Sequence, residues 1–350
     1  MILARNNLDL SAPTRIAVDA MGGDYGPQII VPAVLDSLLK DSQLRILLFG
    51  DKQNIEKFLP ASPVRCLYDR LDIINCMCVV ESSDNPIDVI RNKQDSSLCQ
   101  SIMALSQGDA DACVSAGSTG ALLMQSMRLI ETLPGVKRPA ICASVPTYHG
   151  NVSLLDLGAN LKCDANNFHQ FGVLASMKCN LVDGIENPSI KLLNIGEEAN
   201  KGTKELKAAA ELFNEDKNLN YQGFIEGNNL LTDPVDVIIC DGFTGNVALK
   251  TAEGVARLAM GIGADIVREN LSLRLLSKLF TKSLSEFKSR LSPTQHNGAI
   301  FLGLNRIVVK SHGSARKGGF ENAIGKANLY AKRNIINLLQ PKLAKYSWMR

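Results

Sequence analysis

Two short turns that contain glycine and hydroxyl side chains offer hydrogen-bond donors for an anion. The first, Ser115–Gly120, reads SAGSTG and follows the apolar stretch Ala112–Val114. The second, Asp241–Asn246, reads DGFTGN and follows the β-branched stretch Val235–Cys240. Each turn precedes a segment with helical spacing of apolar residues, so its backbone N–H groups lie open at a helix N-terminus. Such a position favours an anion, and the pair predicts binding of phosphate or a similar oxyanion.

The elements that must position these turns alternate between strand and helix. Arg15–Asp19 predicts a strand and Gly22–Gly26 a turn, and Pro27 suits the first turn of a helix that runs to about Lys40. Further strands are predicted at Leu44–Phe49, Met77–Val80, Ile141–Val145, Val152–Leu157, Ile190–Ile195, Phe224–Glu226 and Ile307–Val309. Further helices are predicted near Ile55–Leu59, Ser96–Ser106, Ala121–Ile130, Lys204–Phe213 and Phe320–Leu343.

This alternation predicts an α/β fold, a doubly wound and mostly parallel sheet between two layers of helices. Ligands of such open sheets bind beyond the carboxyl ends of the strands, so both glycine turns are expected at the same edge. The 350 residues suit one large domain or two smaller ones. Because no low-complexity linker divides the chain and no repeat of fixed period occurs, residues 1–350 are interpreted as a single domain.

The composition is that of an ordinary soluble globular protein, with 45% hydrophobic and 21% charged residues. A net charge of +3 does not favour nucleic acid as a partner. The nine cysteines form no CxxC pair and no cluster at zinc spacing, which predicts reduced thiols and no metal site. A signal-peptide pattern and a run of about 18 apolar residues are both missing, so a cytoplasmic protein is expected.

Seven ordered motifs resemble one family over nearly the whole chain. They read VDAMGGDYGP, SAGSTGA, RPAI, LLDLGAN, NIGEEANKG, DGFTGNVALKTAEG and VVKSHGSA. In this order they resemble the phosphate acyltransferases of bacterial phospholipid synthesis. The resemblance implies transfer of a fatty acyl group from acyl carrier protein to inorganic phosphate, giving an acyl phosphate. It also implies a homodimer, a fold related to isocitrate and isopropylmalate dehydrogenases and to phosphotransacetylases, and no cofactor.

Two positions depart from the family pattern. Ser118 stands where the family usually has Asn, and Tyr25 stands where it has His. A serine still donates through its hydroxyl, so phosphate binding is expected to survive the first change. Tyr25 is not a candidate catalytic residue.

The implied reaction needs donors more than an attacking side chain, because phosphate is itself a competent nucleophile. Lys201 lies between a strand and a helix, where its ammonium is expected to hold phosphate or stabilise an oxyanion; a plain exposed lysine is the alternative. Asn246 is expected to donate its side-chain amide to the same oxygen, with a helix N-cap as its alternative role. His312, after a buried strand, is a candidate to protonate the leaving thiolate or to donate to phosphate, and a structural histidine is the alternative.

The remaining candidate residues fall into two groups. The phosphate-binding candidates are the donors of the glycine turns, Ser115, Gly117, Ser118, Thr119, Gly120 and Gly245. The supporting candidates stand at strand ends, a placement shared by catalytic groups and loop anchors, and are Asp19, Asp24, Asp156, Asn160 and Asp241.

A basic amphipathic helical insertion is predicted at about residues 268–292, where six basic residues stand against two acidic ones. An apolar stripe beside a basic face fits a helix in an anionic membrane interface. Pairing of helices across a dimer, an ordinary core-facing helix and docking of acidic acyl carrier protein are the alternatives. The candidates for membrane or carrier binding are Arg274, Lys278, Phe280 and Lys282. Peripheral association with the inner face of the cell membrane, and contact there with the membrane glycerol-3-phosphate acyltransferase, are therefore expected.

Three other functions stay open at this point. NAD-dependent dehydrogenation shares the expected fold, but enzymes of the isocitrate type need clustered aspartates for a metal, and the sequence does not show them. A phosphotransacetylase would use coenzyme A as the thioester partner. A non-catalytic membrane scaffold needs only the amphipathic stretch and leaves the glycine turns unexplained.

Overall fold

The computed structural model describes residues 13–60, 65–269 and 297–346. Within them, eleven strands form one sheet in the order β3-β2-β1-β4-β11-β10-β5-β6-β9-β7-β8. The strands are β1 Thr14–Asp19, β2 Leu44–Gly50, β3 Leu71–Asn75, β4 Ala112–Ser115, β5 Ala140–Thr147, β6 Gly150–Leu155, β7 Ser189–Asn194, β8 Asn220–Glu226, β9 Val237–Ile239, β10 Ala299–Leu302 and β11 Ile307–Lys310. The mostly parallel α/β prediction is confirmed.

The sheet contains two parallel blocks that run in opposite directions. β3, β2, β1, β4 and β11 are parallel to one another, and so are β6, β9, β7 and β8. Between the blocks, β10 pairs antiparallel with both β11 and β5, and β5 pairs antiparallel with β6. The carboxyl ends of the two blocks therefore lie at opposite edges of the sheet.

Helices cover both faces of the sheet. They are α1 Pro27–Lys40, α2 Lys52–Glu56, α3 Arg65–Tyr68, α4 Pro86–Asn92, α5 Ser97–Gln107, α6 Thr119–Leu129, α7 Ala165–Lys178, α8 Lys204–Glu215, α9 Gly242–Glu269, α10 Lys317–Lys332 and α11 Ile335–Leu343, with a π-helical turn at Cys179–Asp183. One apolar core packs Ile16 and Val18 of β1 against α1, α7 and α10, and the other packs Ala17 against α5 and α6. Because successive strand residues face opposite sides, one strand serves both cores. The three-layer α/β/α prediction is confirmed.

Several boundaries differ from the sequence prediction. Met77–Val80 is not a strand; the third strand is Leu71–Asn75, and Cys78 forms only an isolated bridge with Ser96. The predicted last helix, Phe320–Leu343, is two helices, because Asn334 adopts a left-handed conformation at φ 49°. β10 and α7 were not predicted. The described part of the chain has no helix long and apolar enough to cross a membrane.

Helix α9 runs between the two edges of the sheet at which the strands of the two blocks end. It is 28 residues long, so it extends about 42 Å from Gly242. Its N-terminal half packs Ala248 and Leu249 against a core, whereas Val255, Leu258, Ile262 and Ile266 are 60%, 63%, 53% and 53% exposed. The predicted basic insertion at about 268–292 lies almost entirely outside the described residues.

Candidate active site

One cluster of candidate residues lies at the carboxyl ends of β1, β4 and β11, and Asp19 anchors it. The carboxylate is buried and accepts hydrogen bonds from the hydroxyls of Ser97 and Ser115, each at 2.6 Å. Burial raises the pKa of Asp19, and these hydrogen bonds oppose the rise. Gly117 N–H donates to the same Ser115 hydroxyl at 2.9 Å. Asp19 and Ser115 thus hold the turn in place, and the Ser115 hydroxyl is already engaged.

The turn after β1 packs directly on the turn after β4. A Cβ atom at Gly22 would lie 2.6 Å from the backbone nitrogen of Gly117, so only glycine allows this approach. Asp24 is exposed, and its N–H donates to the Gly313 carbonyl at 2.9 Å, which ties in the turn after β11. Three predicted site segments therefore meet. Tyr25 lies beside them, and the guanidinium carbon of Arg316 lies 4.1 Å from the centroid of the Tyr25 ring. This departure from the family pattern therefore has a packing role.

His312 joins this cluster to helix α9. Its Nδ1 accepts the N–H of Ser314 at 3.2 Å, which places the proton of the neutral ring on Nε2. That Nε2 lies 3.8 Å from Glu253 Oε2. Burial lowers the pKa of His312; Glu253 opposes this, while Lys310 and Lys250 add to it. At neutral pH the ring is therefore a neutral hydrogen-bond donor.

Lys310 is a site residue that sequence reasoning missed. It ends β11 beside Ser115 of β4, and its partly buried Nζ donates to the carbonyl of Ala116 at 3.2 Å and to that of Ser311. Burial lowers its pKa to about 8, and repulsion by Lys250 adds to the effect. The signal was present in the sequence, since Lys310 directly follows the apolar strand Ile307–Val309.

A second cluster lies at the carboxyl ends of β6 and β9. Asp156 is fully buried and accepts from the backbone N–H groups of Ile141, Ala159 and Asn160, at 2.9, 3.1 and 2.6 Å. The side-chain amide of Asn160 also donates to it at 2.9 Å. Burial raises the pKa of Asp156, and these donors oppose the rise. Asp156 and Asn160 thus form a closed network that shapes the loop.

The predicted turn Asp241–Asn246 is mostly the first turn of α9, because the helix begins at Gly242. Asp241 caps it, accepting from the Thr244 N–H at 2.8 Å. The alternative role of Asn246 as the N-cap is therefore wrong. Gly245 packs against β6, where a Cβ would lie 2.0 Å from the Asp156 carbonyl oxygen. This contact directs Asn246 to Gly158, where an added Cβ atom would lie 3.6 Å from the Asn246 Nδ2.

Lys201 lies in the loop between β7 and α8, as predicted, and is exposed. β7 neighbours β9, so this loop leaves the same edge as the Asn246 turn. Asn194, at the end of β7, is a second residue that sequence reasoning missed. Its amide is buried against Gly202, and neither amide atom has a hydrogen-bond partner within the described residues.

The remaining phosphate-binding candidates are at the start of α6. Ser118 is the N-cap of this helix, with its hydroxyl 3.5 Å from the Ala121 nitrogen, and Thr119 and Gly120 form the first turn. They adjoin Gly117 and so belong with the Asp19 cluster. The carrier-binding candidates Arg274, Lys278, Phe280 and Lys282 lie outside the described residues.

The prediction that both glycine turns open onto one edge is wrong. They lie at opposite edges because the antiparallel strands β5 and β10 reverse the direction of the second block. Helix α9 nevertheless connects them, since it begins at Gly242 and reaches His312 through Glu253, about 16 Å further along its axis. The roles of these residues stay predictions.

The sequence matches the fatty acid synthesis protein family over residues 14–338. A phosphate acyltransferase from Methylococcus capsulatus is 45% identical over 311 residues, which are 89% of this chain and 91% of that protein. A phosphate acyltransferase from Shewanella pealeana is 40% identical over 329 residues, which are 94% of this chain and 96% of that protein.

Solved structures show the same fold at low sequence identity. A phosphotransacetylase from Streptococcus pyogenes is similar with a TM-score of 0.58 at 15% identity, over 94% of this chain and 99% of that one. A 4-hydroxythreonine-4-phosphate dehydrogenase from Burkholderia phymatum has a TM-score of 0.50 at 13% identity, over 91% and 98%. The expected likeness to phosphotransacetylases and dehydrogenases is confirmed for the fold. By its sequence, the chain belongs to the phosphate acyltransferase family of fatty acid synthesis proteins.

Proposed function

We propose that this acyltransferase moves a fatty acyl group from acyl carrier protein to inorganic phosphate, giving an acyl phosphate for phospholipid synthesis. The observation that carries the proposal is the match to phosphate acyltransferases along 94% of the chain. Acyl transfer to phosphate follows from the family, and the carrier protein as donor is the further step proposed here. The buried carboxylates Asp19 and Asp156 support acyl transfer to phosphate, because Asp19 fixes the turn at Gly117 and Asp156 fixes the loop beside Asn246.

The chemistry is one substitution at a thioester. A phosphate oxygen attacks the carbonyl carbon, a carbon–oxygen bond forms, and the carbonyl electrons move onto oxygen. The tetrahedral oxyanion then collapses, the carbon–sulfur bond breaks, and the thiolate leaves and takes up a proton from water. Donors placed where charge develops lower the barrier, since they are already oriented when the reaction occurs.

Three side chains supply those donors in this proposal. Asn246 donates its amide to the oxyanion, and the contact of Gly245 with β6 fixes its direction. Lys201 offers a flexible ammonium from the neighbouring loop. His312 donates a hydrogen bond from Nε2 to the leaving thiolate; as the neutral tautomer that Ser314 selects, it stabilises the thiolate and keeps its own proton. The N-terminus of α6, at Ser118, Thr119 and Gly120, is proposed to bind phosphate in the cluster that contains His312. Gly245 lies at the opposite edge of the sheet and is proposed to act through Asn246.

The test is release of free thiol from long-chain acyl carrier protein, measured with and without inorganic phosphate and repeated with acyl-coenzyme A. Phosphate-dependent release from the carrier, reduced at least a hundredfold in Lys201→Ala or Asn246→Ala, is the expected result. Release from acyl-coenzyme A alone would make the enzyme a phosphotransacetylase. Absence of phosphate-dependent release from both donors would refute the proposed reaction.

A homodimer is also part of the proposal, and the apolar stripe Val255, Leu258, Ile262 and Ile266 on α9 supports it. These side chains recur at steps of three or four, the spacing of a helix that pairs with another helix. Leu258→Glu is expected to give a monomer in sedimentation velocity. Leu329→Glu, at a residue 39% exposed on α10, is the matched control and should stay dimeric. A dimeric Leu258→Glu protein would show that something other than a second copy covers the stripe.

Cytoplasmic location with peripheral attachment to the membrane completes the proposal. The basic residues Lys278 and Lys282 support it through their charge alone, at about 1 kcal/mol for each residue near an anionic surface. There the product would reach the membrane glycerol-3-phosphate acyltransferase. Replacing both lysines by Glu should weaken binding to anionic vesicles or to the carrier, and unchanged binding of both would contradict attachment through this stretch.

A further inference from the structure

Three basic side chains converge beside the turn after β4. Lys310 ends β11, His312 lies two residues further on, and Lys250 of α9 is near enough to interact electrostatically with both. Lys250 repels Lys310 and both lysines repel His312, and His312 Nε2 lies 3.8 Å from Glu253 on the same helix as Lys250. We call Lys250, Lys310 and His312 the basic cluster.

The ammonium of Lys310 is not neutralised by a salt bridge within the described residues. Its hydrogen bonds go to the carbonyl oxygens of Ala116 and Ser311. The carboxylates that face it, Asp19 and Asp24, attract it only from beyond salt-bridge distance. Asp19 is moreover engaged by two serine hydroxyls. A partly buried cation without a paired carboxylate costs free energy that a bound anion would recover.

The surroundings of Lys310 identify the class of anion. Its Nζ donates to the carbonyl of Ala116, and α6 begins three residues later at Thr119, so the helix N-terminus with its open N–H groups follows closely along the chain. Lys250 adds a second positive charge. A ligand that meets two ammonium groups and several N–H donors at once must carry several oxygens and more than one negative charge. A phosphoryl group has both.

We propose that Lys310, assisted by Lys250, is a further catalytic residue that binds a substrate phosphoryl group beside Gly117. The inference rests on the proposed function, in which two phosphoryl groups occur: inorganic phosphate and the phosphodiester of the carrier's phosphopantetheine arm. For inorganic phosphate, Lys310 neutralises the nucleophile and fixes its position. If Lys310 binds the phosphodiester, it holds the phosphopantetheine arm and so fixes the position of the thioester at the end of that arm.

The experiment compares full-length wild type with Lys310→Met, which keeps the length of the side chain and removes its charge. Lys326→Met is the matched control, since Lys326 is another lysine whose pKa burial lowers to about 8, but it lies on α10 and donates to Gly298. The KM for inorganic phosphate and the KM for acyl carrier protein are measured separately, by thiol release. Lys310→Met should raise one of them about 10- to 100-fold, and Lys326→Met neither.

The KM that rises identifies the phosphoryl group. A higher KM for phosphate alone assigns the site to the nucleophile, and a higher KM for the carrier alone assigns it to the phosphodiester. Wild-type values of both in a folded Lys310→Met protein would overturn the inference while leaving the proposed function intact. A wild-type enzyme without phosphate-dependent release would instead defeat the proposed function itself.

A pH profile separates binding by Lys310 from a structural role. The wild-type ammonium loses its proton above pH about 8, so the affected KM should rise at higher pH, by at most tenfold per pH unit. Lys310→Met should show no such rise. Lys310→Arg should keep a low KM to higher pH, because a guanidinium stays charged. Identical profiles for wild type and Lys310→Arg would contradict binding through the charge of this side chain.

Discussion

At the scale of single residues, the site is divided between groups that are fully engaged and groups that have free capacity. Neighbouring backbone and side-chain groups already form hydrogen bonds with Asp19, Asp156 and Asn160. Asn246 lies beside Gly158 near the Asp156 network, and Lys310 lies beside Ala116 near Asp19, where its ammonium meets carbonyl oxygens and no paired carboxylate within the described residues. The engaged carboxylates fit the supporting role predicted for them, and the nitrogen donors are the groups that we propose bind substrate.

The network around Asp156 gives a stability prediction. Asp156→Ala would leave two buried backbone donors and one partly buried donor without their acceptor, so we expect it to lower the free energy of unfolding by about 3 kcal/mol. Asp72→Ala, at an exposed position of β3, should change it by less than about 0.5 kcal/mol. Urea unfolding measures both variants. Equal midpoints for the two would show that the network contributes nothing beyond an exposed carboxylate.

At the scale of elements, α9 is the helix on which the proposed site depends. Asn246 is its fifth residue, Lys250 and Glu253 lie in the next two turns, and its exposed stripe begins at Val255. One helix thus connects the proposed oxyanion donor, the basic cluster and the proposed dimer contact. A small shift at its N-terminus would move all three together.

The seating of α9 on β6 can be tested at one glycine. Gly245→Ala would place a methyl group 2.0 Å from the Asp156 carbonyl oxygen and 2.6 Å from Cys240 Sγ, so the helix must move. We expect a loss of about 2 kcal/mol in unfolding free energy and nearly complete loss of activity. Gly263→Ala, on the same helix with nothing within 4 Å, should instead stabilise by about 1 kcal/mol. Calorimetry measures the stability of both variants, and the thiol assay measures their activity. An active, stable Gly245→Ala enzyme would contradict the close contact between α9 and the end of β6.

At the scale of the whole molecule, the parallel strands and their turns could be predicted because buried apolar runs and glycine turns are local signals. Pro27 marked the start of α1 correctly, and the end of β4 at Ser115 was one residue from its prediction. The reversal between the two blocks could not be predicted. It depends on β10, a strand of four residues, and on pairings between segments far apart in sequence. Lys310 was within reach of the sequence, but its burial and its contact with Ala116 were not.

The free energy of unfolding should depend on pH in the alkaline range because Lys326 is buried. Burial, with repulsion by Lys178, lowers the pKa of Lys326 from 10.5 to about 8. Between those values the unfolded chain binds more protons at this site, so its contribution to unfolding free energy rises with pH, by at most about 1.4 kcal/mol per unit. In urea unfolding, the free energy of unfolding of the wild type minus that of Lys326→Met should therefore rise from pH 8 to pH 10. A constant difference would mean that Lys326 titrates normally.

The most direct test of the central claim is detection of the product. Purified enzyme is incubated with long-chain acyl carrier protein and inorganic phosphate, and hydroxylamine traps any acyl phosphate as the acyl hydroxamate, with enzyme-free and phosphate-free reactions as blanks. We expect hydroxamate in proportion to the thiol released, dependent on phosphate and lost in Asn246→Ala. Thiol release with free fatty acid and no phosphate-dependent hydroxamate would make the enzyme a thioesterase and contradict acyl transfer to phosphate.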